Sequence, residues 1–353
     1  MKIKSNVREY EVSYHSSFSD CLKVGTLTGS YCIIVDANVY KIYRNEIDLH
    51  LSNFPILVID ALESNKSFEK VGEYIIKLLD MKCKKDTHLF VIGGGILQDI
   101  GGFIASILYR GVNWTLVPTT VLAQCDSCIG SKTSMNIASF KNQLGTFYPP
   151  SCVLITTQVL SSLTQQDQIS GVCEAVKLAM IESLEASDLM RSSLKQGLTQ
   201  KTFLEICDQS LQIKKKFIEE DEFDKGRRNL LNYGHTFAHA FESASKYEIP
   251  HGIAVGLGIW AASYFSLKLG MIENNQYENA VKDISPWCQD FVPALKRLSL
   301  DEIMKSIKTD KKNTVDRIGF ILTSGYGKMQ RSYMPVDEAK VFMTDFLQEL
   351  GRL

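Results

Sequence analysis

Short apolar runs alternate with amphipathic stretches over roughly the first 155 residues of the chain. "YCIIVDANV" and "FPILVID" predict strands that end in Asp turns. In "FEKVGEYIIKLLDMKC" the residues Val71, Tyr74, Ile75, Leu78 and Leu79 recur at helical spacing. "HLFVIGGG" predicts a strand running into glycines and "ILQDIGGFIASILYRG" a helix, and "WTLVPTT" and "SCVLITT" predict further strands. Such alternation builds a parallel sheet with helices on both faces. After Thr157 most apolar residues recur at three and four, the period of helices. The expected architecture is an α/β, Rossmann-like N-terminal domain over residues 1–157, then a mostly α-helical C-terminal domain over 158–353. A small strand pair is expected in "DRIGFILTSGYGKMQRSY".

Composition narrows the partners. With 353 residues, 45% of them hydrophobic and 22% charged, there is ample material for packed domains. A formal net charge of −1 argues against general nucleic-acid affinity, so an anionic partner must be recognised locally. "HGIAVGLGIWAASYFSL" is the nearest approach to a membrane span, falls short of the ~20 apolar residues needed, and is expected to be a buried core helix. The opening "MKIKSNVREYEV" has no apolar signal region, which predicts a cytoplasmic product. Nine scattered cysteines suit reduced thiols, and the C-x-x-C spacing of "CDSC" is expected to be core packing, since no second pair or nearby histidine completes a zinc quartet.

Several stretches carry candidate chemistry. Gly93, Gly94 and Gly95 stand where a strand hands over to a helix, where glycines let a diphosphate approach the backbone and a helix N-terminus supplies N–H donors. Taken alone, a tight turn without a ligand explains them as well. "VPTTVLAQCDSCIGSKTSMNIASFKNQLGTFYPP" predicts a long functional loop holding Asp126, Lys132, Lys141 and Asn142, though single lysines are ordinarily solvated. "GVCEAVKLAMI" places Glu174 and Lys177 three apart among apolar neighbours, either a plain intrahelical ion pair or an enclosed charge needing partners. His235 and His239, at i and i+4 in "LNYGHTFAHAFE", share one helix face; the spacing serves a metal ion or polyanion, or is an accident of packing. A carboxylate with His235 and His251 would leave an open coordination position, the pattern of a catalytic zinc. Lys214, Arg228 and Asn232 approach that helix, while the rest of "KKK" and "EEDEFD" is expected to be surface helix. Lys311 falls in a polar turn.

Read in order, "GGG" with Asp99, "YRGVNWTLVPTTVLAQCDSCIGSKT", "KNQLGTFYPP", "CEAVK", "RNLLNYGHTFAHA", "HGIAVG" and "DKK" resemble the 3-dehydroquinate synthases, NAD- and metal-dependent cyclases within the sugar phosphate cyclases. The resemblance runs from about Cys32 to Lys328. It implies Glu174, His235 and His251 as ligands of a divalent metal, zinc or cobalt, and Glu63, Lys66, the glycine turn, Asp99, Thr119, Thr120, Lys132 and Lys141 as NAD-binding residues. For a sugar phosphate substrate it implies Asp126, Lys132, Asn142, Lys177, Lys214, Arg228, Asn232, His239 and Lys311, with Arg110 reaching into the partner subunit of a homodimer. The implied reaction converts 3-deoxy-arabino-heptulosonate 7-phosphate to 3-dehydroquinate and phosphate through transient oxidation, elimination, reduction and aldol closure.

Gln98, Ser131, Phe140, Ala238 and Ile253 stand where the family pattern has Gly, Gly, Gly, Gly and Glu, and "LTQQDQISG" lacks a usual arginine. Three alternatives follow. Cyclases acting on another sugar phosphate include those for the amino analogue of 3-deoxy-arabino-heptulosonate 7-phosphate, and those for sedoheptulose 7-phosphate or glucose 6-phosphate, which differ at the positions of Arg228, Asn232 and His239. Iron- or zinc-dependent polyol dehydrogenases place Asp as the first metal ligand and would accumulate NADH. A non-catalytic NAD-holding relative would suit the lost glycines but not the retained buried charges.

Overall fold

A computed structural model describes residues 1–24, 29–138, 140–308 and 316–350. Lys311 lies outside the described residues. The chain groups into two compact units, Met1–Thr164 with Lys214–Asp224, and Gln165–Ile213 with Lys225–Leu353. Lys214 thus groups with the α/β unit, as the first residue of a short segment whose flanking chain on both sides belongs to the other unit.

The strands of the first unit are β1 (Lys2–Ile3), β2 (Tyr10–His15), β3 (Tyr31–Asp36), β4 (Ile56–Ile59), β5 (His88–Gly93), β6 (Trp114–Pro118), β7 (Met135–Ile137), β8 (Phe140–Leu144) and β9 (Cys152–Thr156). Seven of them form one sheet in the order β1-β2-β9-β6-β5-β3-β4, parallel except for β1. Its helices are α1 (Phe18–Val24), α2 (Ala37–Ile42), α3 (Arg44–Leu51), α4 (Phe68–Asp80) and α5 (Gly95–Ile107). Alternate residues of the central strands feed opposite faces. Ile33, Val35, Phe90 and Ile92 join Phe18, Leu22, Val39, Ile47 and Leu51 in one apolar cluster. Val91, pointing the other way, meets α5 so closely that a Cβ on Gly101 would lie 2.5 Å from its Cγ2. With both faces covered, the inner strands are continuous apolar runs rather than alternating ones.

Strand β3 lies between β4 and β5, so the connection from β3 to β4 runs one way along the sheet and that from β4 to β5 runs back. Beyond the carboxyl ends of such strands a parallel sheet opens a crevice, and the three glycines stand there. The stretch after Pro118, expected as a long loop, is more ordered: Ala123–Ser127 forms a π-helical turn and β7 pairs with β8 as a separate hairpin. Within "EEDEFD", expected at the surface, Glu222 is 4% exposed. Its carboxylate accepts hydrogen bonds from Ser5 Oγ, Asn6 N, Asn6 Nδ2 and Ser131 Oγ at 2.6, 2.6, 3.0 and 2.7 Å, which offsets the cost of burying the charge.

Helices of the second unit are α6 (Gln165–Glu182), α7 (Leu184–Lys195), α8 (Gln200–Glu220, which from Lys214 groups with the first unit), α9 (His235–Ala244), α10 (His251–Lys268), α11 (Asn274–Cys288), α12 (Val292–Lys296), α13 (Leu300–Lys308) and α14 (Val336–Glu349). The expected strand pair is present as β10 (Arg317–Thr323) against β11 (Met329–Pro335). The apolar run after His251 is α10, buried continuously from Gly252 to Ser266. Among the described residues no helix is long and apolar enough to cross a membrane.

Candidate active site

In the first unit the glycine turn divides by cause. A Cβ on Gly93 would lie 2.6 Å from Leu97 Cβ, and one on Gly94 2.8 Å from Thr120 Cγ2, so packing alone demands glycine at both. One on Gly95 would meet nothing nearer than Ser127 Oγ at 3.8 Å. Gly94 caps α5 without a side-chain hydrogen bond, leaving first-turn N–H groups available beside that open glycine. This cradle, which a Cβ would fill, fits a diphosphate. Thr119 and Thr120 frame it: Thr119 N donates to Gly93 O at 3.1 Å, and Thr120 Oγ1 accepts from Ala123 N at 3.1 Å.

Next to the turn, Lys66 Nζ donates to Asp99 Oδ2 at 2.9 Å and to Asn142 Oδ1 at 2.8 Å, with Glu63 Oε1 at 3.8 Å. Lys141 Nζ lies 3.7 Å from the same Glu63 oxygen. Residues expected to hold the cofactor therefore converge, and Asn142, expected at the substrate, joins them. Asn142 has a left-handed backbone (φ 53°), and its N–H donates to Asn136 Oδ1 at 2.9 Å. Asn136 Nδ2 in turn donates to Glu63 Oε1 at 2.8 Å, which makes Asn136 the centre of the network and a residue the sequence reading missed. Burial pushes the Asp99 carboxyl up to about 6, against the opposing pull of the Lys66 ammonium.

Other expected residues of this unit are paired elsewhere. Lys214 Nζ reaches Asp126 Oδ1 at 2.6 Å and Asp126 O at 2.7 Å, and Lys132 Nζ reaches Asp224 Oδ2 at 2.5 Å. Arg110 is exposed in the turn after α5, where it and Tyr109 both take left-handed backbone angles (φ 66° and 51°). Two departures from the family pattern acquire reasons. Gln98 is buried, donating from Nε2 to Ser127 O at 2.6 Å and accepting from Ser127 Oγ at 2.8 Å, so it ties α5 to the π-helical turn. Ser131 keeps a left-handed backbone (φ 65°) that glycine would adopt without strain, held by its bond to Glu222.

In the second unit three helices are drawn together by glycines at their crossings. A Cβ on Gly258 of α10 would lie 2.2 Å from Gly234 O at the start of α9, and one on Gly252 1.8 Å from Ser170 O of α6. These approaches set Glu174 of α6, His235 of α9 and His251 of α10 side by side. Their ligand atoms all lie within 4.8 Å of one another. His235 Nε2 is 3.7 Å and His251 Nε2 3.4 Å from the same oxygen, Glu174 Oε1. Each imidazole has an acceptor beside its other nitrogen. His235 Nδ1 lies 3.3 Å from Tyr233 O, and His251 Nδ1 3.0 Å from Glu242 Oε2. With Nδ1 held in this way, both Nε2 atoms face inward toward Glu174, the arrangement that a metal-binding carboxylate and two imidazoles require. The residues present fit a divalent ion. Glu242, which fixes His251, was not among the expected site residues.

Charge compensation around Glu174 is tight. Its side chain is 1% exposed and Lys177 Nζ stands 2.5 Å from Oε2, yet Oε2 takes no well-aligned hydrogen bond among the described residues. Burial pushes the Glu174 carboxyl up, but the Lys177 ammonium with His235 and His251 holds it well below the ordinary range. Burial and Lys177 push the His235 imidazole well below its usual value, a neutral ring suited to ligation. Burial also depresses His251, but Glu242 and Glu174 outweigh it and raise the ring to about 10. A second group of potential ligands, His239, Glu242 and His251, shares His251. It would compete for the nitrogen that already bonds Glu242, so the Glu174 set is the better one. His239 is exposed, its ring centroid 6.1 Å from that of His251. Arg228 is buried at 4% exposure, and Asn232 Nδ2 donates to Asn229 O at 3.0 Å.

This arrangement can be set beside known proteins. A solved 2-deoxy-scyllo-inosose synthase, complexed with carbaglucose-6-phosphate, NAD+ and Co2+, superposes with a TM-score of 0.89 at 22% identity, covering 98% of this chain and 99% of that one. A 2-epi-5-epi-valiolone synthase from Streptomyces hygroscopicus subsp. jinggangensis 5008, with NAD+ and Zn2+ bound, gives 0.84 at 24% identity, covering 96% and 97%. The fold is that of the sugar phosphate cyclases. The 3-dehydroquinate synthase N-terminal family matches residues 56–170 and its C-terminal counterpart residues 171–313. A 3-dehydroquinate synthase of Thermoanaerobacter sp. (strain X514) is 33% identical over 306 residues, covering 84% of this chain and 85% of the relative. One of Alkaliphilus oremlandii (strain OhILAs) is 35% identical over 316 residues, covering 88% and 82%. This chain belongs to the 3-dehydroquinate synthase family.

Proposed function

We propose that the protein converts 3-deoxy-arabino-heptulosonate 7-phosphate to 3-dehydroquinate and phosphate, as an NAD- and metal-dependent carbon–oxygen lyase. The observation that carries the reading is the buried Glu174 carboxylate faced by two imidazole Nε2 atoms, in a chain whose relatives at 33% and 35% identity are 3-dehydroquinate synthases. When bound, NAD would take up and return a hydride at the ring carbinol, and a zinc or cobalt ion would lower the pKa of the alcohol being oxidised.

The chain's own residues then have distinct tasks. Glu174, His235 and His251 hold the ion, while Glu242 orients His251. Lys177 neutralises Glu174. Gly95 and the first turn of α5 receive the diphosphate, and Asp99, held by Lys66, accepts from ribose hydroxyls; Glu63, Lys141, Thr119 and Thr120 shape the surrounding wall. Arg228 presents a guanidinium fork that suits the substrate carboxylate, and Lys214, beside Asp126, is a second cation for it. Asp126, Lys132, Asn142, Asn232, His239 and Lys311 are assigned to the remaining hydroxyls and the phosphate by the family resemblance. Once oxidation acidifies the adjacent C–H, the departing phosphate itself can take that proton; after the hydride is returned, the ring opens and recloses by an intramolecular aldol step. Arg110 acts from the partner copy of a homodimer.

The test is phosphate release from 3-deoxy-arabino-heptulosonate 7-phosphate with catalytic NAD and added zinc, beside Glu174→Ala. Release without net NADH, lost in the variant, is expected. Turnover of sedoheptulose 7-phosphate or glucose 6-phosphate in its place would keep the chemistry and refute the substrate. Accumulating NADH would identify a polyol dehydrogenase.

A further inference from the structure

Away from the histidine cluster, the second unit holds a cavity of about 360 Å³ that no step of the proposed reaction uses. Its apolar wall is built by Val176 and Ala179 of α6, Met190 and Leu194 of α7, and Trp287 of α11. Val176 and Ala179 lie about half a turn of α6 away from Glu174, so the cavity sits behind the helix face that carries the carboxylate. Its volume falls in the range of small-molecule sites.

Three polar features of this cavity point to the same kind of occupant. Ser187 lines it, is 3% exposed, and its buried hydroxyl has no hydrogen-bond partner among the described residues. A buried hydroxyl in that state is costly unless a ligand satisfies it. Asp283, the carboxylate in the wall, is already engaged: Arg191 Nε and Tyr326 Oη both donate to it at 2.6 Å. Arg191 is also tied to Asp188, to whose Oδ1 its Nη1 donates at 2.6 Å. That leaves Lys195 and Lys282, exposed residues of α7 and α11 that line the cavity and form no ion pair among the described residues.

We propose that this cavity binds a small aromatic or similarly apolar carboxylate, its body against Trp287 and the α6 wall, its carboxylate between Lys195 and Lys282, with Ser187 supplying a buried hydrogen bond. An amine would meet two cations and a neutralised Asp283. A neutral analogue would forgo the lysines.

The test uses the intrinsic fluorescence of the full chain, whose three tryptophans include Trp287, titrated with 3-phenylpropionate, 3-phenylpropanamide and 3-phenylpropylamine. Saturable quenching by the carboxylate is expected, absent in Trp287→Phe and weakened about five-fold in the surface double variant Lys195→Gln/Lys282→Gln. Equal binding of the amide, tighter binding of the amine, or carboxylate binding that ignores the lysine pair would each overturn the proposal. So would the absence of any saturable signal together with no heat of binding by calorimetry. Ser187→Ala, which removes the unpartnered hydroxyl without adding bulk, is expected to weaken the carboxylate while leaving the fold unchanged by circular dichroism.

Discussion

Glu242 determines what His251 can do. Its carboxylate, 3.0 Å from Nδ1, fixes the ring orientation that turns Nε2 toward Glu174, and would keep the remaining proton on Nδ1 once a metal ion takes Nε2. Glu242→Gln keeps the shape but removes the charge, and metal affinity should fall roughly 10- to 100-fold, measured by competition against a chromogenic chelator. An unchanged affinity would mean that His251 is oriented by packing alone. Asp99 supplies a pH signature in the ligand-free protein. Its carboxyl is raised from 3.8 to about 6, so between those values the folded state holds a proton that the unfolded chain has lost. Stability from this group is therefore fully present below the lower value and is lost as pH rises through the upper one. Because 21% of the side chain remains exposed, the loss should be about 2 kcal/mol rather than the larger figure the full shift implies. Urea denaturation across that window should show the decline in the native protein and a flatter profile in Asp99→Asn.

At the scale of elements, the glycines separate packing from binding. Gly252 lets α10 approach α6, and a methyl group there would collide with Ser170 O. Gly252→Ala should cost about 1–3 kcal/mol or more of stability and loosen metal binding at the same time, because Glu174 and His251 ride on the two helices it separates. Gly95 makes the opposite case, with nothing nearer than 3.8 Å to an added Cβ. Gly95→Ala should leave the denaturation midpoint unchanged or raise stability by up to about 1 kcal/mol, while NAD affinity measured by calorimetry drops. If both variants lose stability equally, the glycine turn is a packing device and not a cradle.

For the whole molecule, what could be read from the sequence follows the range of the interactions. The strand-to-glycine handover and the histidine spacing are local, and both lead directly to observed features. Glu242 stood seven residues from His235 with nothing in its neighbourhood to mark it, and its meeting with His251 depends on how α10 crosses α9. Asn136 and Lys66 belong to distant segments whose convergence needs the hairpin that the sequence presented as a loop. Glu222 was hidden in an acidic run because its four donors come from the N-terminal segment and Ser131. Arg110 extends the same reasoning beyond one chain. An exposed arginine on a turn held in left-handed geometry, braced by Tyr109 Oη donating to Cys83 O at 3.2 Å, is presented outward at the expense of backbone strain. If it serves the partner's site in a two-fold dimer, Arg110→Gln and Glu174→Ala should each be inactive alone. Mixed and reassociated, the two variants form hybrid dimers in which one site has both its own Glu174 and its partner's Arg110 intact. Random exchange then restores about a quarter of native turnover, since about half of the dimers are hybrids with one working site each. Phosphate release from the mixture that stays at the level of the separate variants, despite subunit exchange shown by sedimentation of tagged chains, would place Arg110 outside the partner's site.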